Sequence, residues 1–316
     1  MKSKSITDYK KASTLNLLVG MIISFFGINK LFNKYNLELT NIGKYRLIRT
    51  IKKSNGFSNF YVGIYSDNQG NKKFIKTWQG HFRDFHYYSL LNEIISSKLL
   101  SKEFSKTAIK ICGKKLEVTE VLEIIEEKRL LSVVFKYIPG KQLKCFSIPF
   151  QVTYIKGILE AFEKVSKPLQ LNGFPTRSLS FMVLSLPFLI FLGVISNPKY
   201  SWTIIKSALL ILKGFVLSNQ KSLYLAHRDL SAENILVSKS SATIIDCEYM
   251  VLTLKDYDFT QKLIKTDSRD VYSRIQKITK EFNQPLALYI SLNLSHYYDK
   301  GKQNDYLDFL IQKKVH

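Results

Sequence analysis

The sequence predicts an α+β protein of two lobes, a small antiparallel sheet carrying one helix followed by a mainly helical part. Three observations carry this. Strand-like runs separated by polar turns fill Tyr45 to Trp78, a run with helical apolar spacing begins at Phe85, and a short hairpin, ILV and ATII about the turn SKSS, closes at Asp246. A chain of 316 residues that is 46% apolar can bury a large core, which excludes a disordered tail and a small disulfide-stapled scaffold. Cys112, Cys145 and Cys247 form no CxxC pair, and the five histidines show no metal-ligand spacing. A structural zinc and a disulfide framework are therefore not expected, and a reducing compartment is.

Each element follows from its own stretch. LIRTI alternates as a strand, the polar stretch SNGFSN follows, and FYVGIYS, the turn DNQGN and KKFIKTW complete a meander. A turn exposing backbone N–H groups between two strands can cover phosphates, and Lys76 on the third strand can offer them a cation. FHYYSLLNEIISSKLL then places Glu93 on a neighbouring helix, where a carboxylate could hold the Lys76 ammonium. Farther on, YLAHRDLSAENILVSKSSATIIDCEYM sets Asp229 and Asn234 on a loop, and the hairpin returns the chain to Asp246. Phosphoryl transfer needs a base beside the acceptor hydroxyl and oxygen ligands for a divalent metal, and this loop, hairpin and loop bring such groups together. A strand lysine or a helix glutamate alone is an ordinary surface residue; the ordered combination is much rarer.

Lys plus Arg is 47 against 25 Asp plus Glu, a formal charge of +22, which suits an anionic partner. Biased composition gives the same excess, so charge by itself selects no function. Ala12 to Asn29 is uncharged between lysines, at the lower edge of a membrane-spanning length, and reads equally as a span or as a helix lying on a membrane surface or packed on the domain. Ser178 to Pro198 is a second uncharged run, with Pro187 at its centre expected to break or kink a helix. The stretch SWTIIKSALLILKGFVLSN is expected to be the helix leading into the Asp229 loop.

These residues resemble the protein-kinase-like phosphotransferase superfamily from about Tyr45 to Asp258. The resemblance implies that Lys76 pairs the nucleotide phosphates, Glu93 anchors Lys76, Asp229 is the catalytic base, and Asn234 and Asp246 hold magnesium, with manganese as the alternative ion. It implies that VVFKYIPG is the hinge, with the Lys136 carbonyl and the Ile138 N–H on adenine and Phe135 at the back of the pocket. Gly56 and Ser58 of the glycine-poor loop would lie over the phosphates, and His227, Arg228, Glu248 and Asp258 would support the site. The Asp-Cys-Glu-Tyr run at 246–249 is similar to choline and ethanolamine kinases and their aminoglycoside phosphotransferase relatives. Arg228 is instead a protein-kinase feature, and Ser231 stands where Ser/Thr protein kinases place a lysine.

The domains then expected are 1–40 as a hydrophobic, basic segment serving as a membrane anchor, 41–138 as the small lobe and 139–316 as the large lobe, with an apolar insertion at 178–198. A single membrane crossing by that insertion would separate Lys76 and Glu93 from Asp229 and Asp246. It is therefore a buried helix, a re-entrant hairpin bent at Pro187 or a pad on the bilayer. The function expected is ATP- and magnesium-dependent phosphorylation of an acceptor hydroxyl on a small molecule, sugar or lipid headgroup, at the cytoplasmic side of an anionic membrane surface. The alternatives are a Ser/Thr protein kinase and a catalytically silent kinase-fold scaffold. No nucleic-acid partner is expected, because no reader motif occurs.

Overall fold

The computed structural model describes residues 2–3, 13–29, 39–52, 60–127, 129–217, 222–264 and 284–294. The chain forms two compact units. The first comprises Met1–Leu143 with Glu233–Met250, and the second Lys144–Ala232 with Val251–His316.

In the first unit, helix α1 (Thr14–Phe25) is capped by the Ser13 side chain, which accepts the Asn16 N–H. The meander expected from the sequence is present as β1 (Tyr45–Lys52), β2 (Phe60–Ser66) and β3 (Lys72–Gln79). Helix α2 (Phe85–Thr107) follows, then β4 (Lys114–Val118), β5 (Val121–Glu127) and β6 (Leu130–Lys136). The main sheet runs β5-β6-β3-β2-β1, with two-residue strands Lys2–Ser3 and Asn41–Ile42 at its edges, and every pairing is antiparallel. Lys76 stands on its central strand, opposite Val62 on one side and Val133 on the other. Phe60, Trp78, Tyr87, Leu90, Ile94, Leu131, Val133 and Phe135 pack the sheet against α2. At the start of α2 the buried Asp84 carboxylate caps Tyr87 and also accepts from Trp78 Nε1 and Asn29 Nδ2, both at 2.8 Å.

The run containing α1 is thereby docked on the protein along one face. Ser24 Oγ accepts the Phe85 N–H, and Gly20 lies so close to Tyr88 and the Asp84 backbone that a Cβ there would come within 2.9 Å of the tyrosine ring. The opposite face exposes Leu15, Val19, Ile22 and Phe26.

In the second unit, α3 (Ile148–Leu171), α4 (Leu179–Ser196) and α5 (Ser201–Leu217) precede β7 (Tyr224–Ala226). The chain then returns to the first unit for the hairpin β8 (Ile235–Val237) and β9 (Ser241–Ile244). The sequence places that hairpin within the helical lobe; it clusters instead with the sheet-bearing unit because β9 pairs in parallel with β4, Ser241 opposite Lys115 through Ile244 opposite Val118. The second unit resumes with β10 (Val251–Thr253), antiparallel to β7, then α6 (Tyr257–Ile264) and α7 (Gln284–Leu294). α7 is the hub of the second core: Leu286, Ala287, Leu288, Ile290 and Leu292 are fully buried among Met182, Leu186, Leu189, Ile204, Ile211 and Phe215.

Pro187 does not break α4, which runs as one helix from Leu179 to Ser196. An interior proline costs about 3 kcal/mol. Burial of Met182, Leu186, Leu189 and Leu192, at about 1.5–3 kcal/mol each, outweighs it. Of the three readings of the insertion, the re-entrant hairpin is therefore excluded. Among the described residues, Leu179–Ser196 and Pro198–Leu217 are long and apolar enough to cross a membrane, and each packs one face into this core.

Candidate functional site

In the first unit the expected cation and carboxylates meet. Lys76 Nζ lies 3.1 Å from Glu93 Oε2, 2.6 Å from Asp246 Oδ1 and 2.6 Å from Glu248 Oε2. The Phe60 ring closes a further side, its centroid 4.7 Å from the ammonium. Lys76, Glu93 and Glu248 are buried, whereas the Asp246 side chain is 38% exposed and open to a ligand. Glu93 uses both oxygens, the second accepting the Cys247 N–H at 3.2 Å. Its neighbour Asn92 donates to the carbonyls of Glu248 and Met250, so α2 grips the turn that follows Asp246.

The electrostatics follow from crowding three acids around one buried base. Burial opposes the Lys76 charge, but Asp246, Glu248 and Glu93 outweigh it and hold the ammonium well above its ordinary range. Burial pushes the Glu93 carboxyl up, Lys76 pulls it back, and Asp246 and Glu248 push it up again, so it titrates above an ordinary glutamate. Glu248 is raised for the same first reason, burial, aided by Asp246. Burial likewise raises the Cys247 thiol, with Glu93 adding to it, which makes this cysteine an inert packing residue rather than a nucleophile.

Asn234 and Asp246 flank the open end of the hairpin. Ile235 pairs with Ile244, and just beyond that pair the Asn234 carbonyl accepts the Ile245 N–H at 3.0 Å. Asp246 adopts the left-handed conformation, φ 61°, at the turn into Cys247–Tyr249. An amide and carboxylates offer oxygen donors only, the ligand set that suits magnesium. Oxygens of Glu93, Asp246 and Glu248 lie within 4.8 Å of one another, and the Lys76 ammonium is the cation they surround; of the three acids only Asp246 is also exposed enough to reach an ion beside it.

Lys136 ends β6, its N–H bonded to the Glu120 carbonyl at 2.9 Å and its ammonium 3.5 Å from the Glu120 carboxylate. Phe135 is fully buried, packed at an angle on Phe74 with ring centroids 6.1 Å apart. Lys136 and Ile138 border a cavity of about 740 Å³ that also touches Ser101, Lys115 and Thr243; Lys76, Asn234 and Asp246 do not line it. Gly56 and Ser58 lie outside the described residues.

In the second unit Asp229 sits on the loop after β7, its side chain 33% exposed. Asp258, buried on α6, accepts the N–H of His227 at 2.7 Å and that of Arg228, which is left-handed with φ 64°. Burial raises the Asp258 carboxyl, although His227 and the two N–H groups work against that. The Arg228 guanidinium lies over the Tyr257 ring, 5.3 Å from its centroid. Sequence reasoning misses Lys262, whose ammonium is 3.3 Å from Asp229 Oδ1. The signal that could find it is its spacing of one helical turn from Asp258 on an amphipathic segment.

No protein-family model matches the sequence, and no curated protein matches it. Solved structures do resemble it. A thermostable mutant of aminoglycoside phosphotransferase APH(4)-Ia, in apo form, gives a TM-score of 0.66 at 11% identity over 87% of this chain and 97% of that one. Aminoglycoside-3'-phosphotransferase of type VIII gives 0.54 at 14% identity over 80% and 94%. A protein of Haemophilus somnus 129PT assigned as a fructosamine-3-kinase gives 0.52 at 11% identity over 95% and 99%.

Proposed function

We propose that this chain, which has the fold of the protein-kinase-like phosphotransferases, moves the γ-phosphoryl group of ATP to a hydroxyl of a small molecule. The observation that carries the reading is the Lys76 ammonium on a central strand, held by Glu93 on a helix and by Asp246 at the turn after the hairpin. Lys76 binds phosphate oxygens, Glu93 fixes its direction, and Lys136 and Ile138 hold adenine. Asn234 and Asp246 hold magnesium, which when bound neutralises phosphate charge. Asp229 takes the proton of the acceptor hydroxyl as that oxygen bonds to the γ-phosphorus; the bond from the γ-phosphorus to the bridging oxygen breaks and ADP leaves. Asp258 keeps the loop backbone in place beneath it, and Glu248 shares the charge of Lys76 until nucleotide arrives.

The acceptor in this reading is a polar molecule, sugar or lipid headgroup at an anionic membrane surface. The support is the outward side of α4 and α5. Leu184, Phe191, Trp202, Leu209 and Val216 are exposed there, Lys199, Lys206 and Lys213 accompany them, and no acid occurs from Leu179 to Leu217. Two experiments test the reading. The purified 316-residue chain with magnesium and γ-labelled ATP is offered sugars, amino alcohols, lipids and generic proteins. Labelling of a small acceptor by wild type but not by Asp229→Asn supports it, labelling of proteins alone selects the Ser/Thr protein kinase, and ATP binding without turnover selects the silent scaffold. Cosedimentation with anionic vesicles, weakened by Leu209→Glu and by salt, supports the membrane surface; no cosedimentation removes it.

A further inference from the structure

Helix α6 addresses the Asp229 loop at two points one turn apart. Asp258 takes the backbone, accepting the N–H groups of His227 and Arg228. Lys262, four residues later on the same face, takes the Asp229 side chain, Nζ to Oδ1 at 3.3 Å. The Lys262 side chain is only 4% exposed, while that of Asp229 is 33% exposed. Burying an ammonium is unfavourable unless a carboxylate answers it, and packing α6 alone would be served as well by methionine or leucine. Arg228, the one Lys or Arg between His227 and Asn234, turns its guanidinium to Tyr257.

We propose that Lys262 is the positioning residue of the base: it holds the Asp229 carboxylate in one orientation, ready for the acceptor hydroxyl. The inference rests on the phosphotransfer reading above. α6 thus acts as a clamp, its acid setting the loop's course and its base setting the direction of the reacting side chain. A carboxylate that wanders by about 1 Å loses about a hundredfold in rate, because proton transfer depends on the aligned approach of the oxygens.

The test compares wild type, Lys262→Met, which keeps volume and removes charge, and Lys262→Arg, which keeps charge. Magnesium-dependent ATP turnover and melting temperature are read for each. The expected result is a fall in kcat of about 10- to 100-fold for Lys262→Met. KM for ATP stays within about twofold, and Lys262→Arg recovers most of the loss at a melting temperature no higher than that of Lys262→Met. Wild-type kcat in Lys262→Met overturns the inference. So does a loss that tracks melting temperature and is not recovered by arginine, which marks a packing role. A wild type that turns over nothing sinks the phosphotransfer reading and the inference with it. An active wild type with a dead Asp229→Asn and an unimpaired Lys262→Met sinks the inference alone.

Discussion

Replacing Lys76 with methionine keeps the bulk of the stem and deletes the ammonium, leaving oxygens of Glu93, Asp246 and Glu248 within 4.8 Å of one another. Two unit charges at that separation repel by about 3.5 kcal/mol at an effective dielectric of about 20. Relief comes from proton uptake by Glu93 or Glu248, the two carboxyls buried away from solvent. An ordinary glutamate titrates at 4.5, and protonating it costs about 1.4 kcal/mol per pH unit above that value. The cost is hence about 5 kcal/mol at pH 8 and under about 1 kcal/mol at pH 5. The sign is fixed by linkage. Both glutamates already titrate above their ordinary value in the folded chain, first because of burial. A carboxyl raised in this way loses folded-state stability as pH climbs from its unfolded to its folded pKa. Removing Lys76 stretches that window upward. Urea unfolding in buffer without divalent metal should therefore show Lys76→Met losing more at pH 8 than at pH 5, by less than about 4 kcal/mol because the wild type already bears part of that cost. A second change, Glu248→Gln, should recover much of the pH 8 loss. An equal loss at the two pH values, or a larger one at pH 5, refutes the reasoning.

Gly214 on α5 faces the Pro285 ring so closely that a Cβ there overlaps it, and Gly214→Val should lower stability by about 2 kcal/mol or more. A variant that melts at or above wild type would show that α5 and α7 can part without cost. Cys112 and Cys145 are exposed and Cys247 is buried, with burial raising its thiol, so a thiol reagent should label two cysteines quickly in the folded chain. The third should react only with denaturant; three fast thiols would contradict the packing of the Cys247 turn against α2.

The small lobe is legible because its signals are local. Alternation in LIRTI and FYVGIYS and the turn at DNQGN specify a meander without reference to the rest of the chain, and Glu93 follows from helical spacing. The convergence of Lys76 on Asp246 is legible from order along the chain. What escapes depends on distant partners. Glu248 reads as a supporting residue, and nothing near it announces a 2.6 Å pairing with Lys76. Pro187 is a strong local signal against a helix, overridden by apolar burial on α5 and α7. The docking of α1 turns on Asn29, an ordinary-looking polar residue that reaches the buried Asp84 carboxylate. Lys262 is faint because its one-turn spacing from Asp258 marks a shared helix face but not the carboxylate its ammonium will meet.

The pairing of β9 with β4 has an effect during biosynthesis. Ser241 must find Lys115 across a long stretch of polypeptide, so the sheet-bearing half cannot finish while the ribosome is still translating the helices between them. Until Ile244 has emerged, β4 waits with an open edge. A nascent chain stalled before Asn234 should therefore carry the meander and α2 folded around a gap, a species for chaperones to guard.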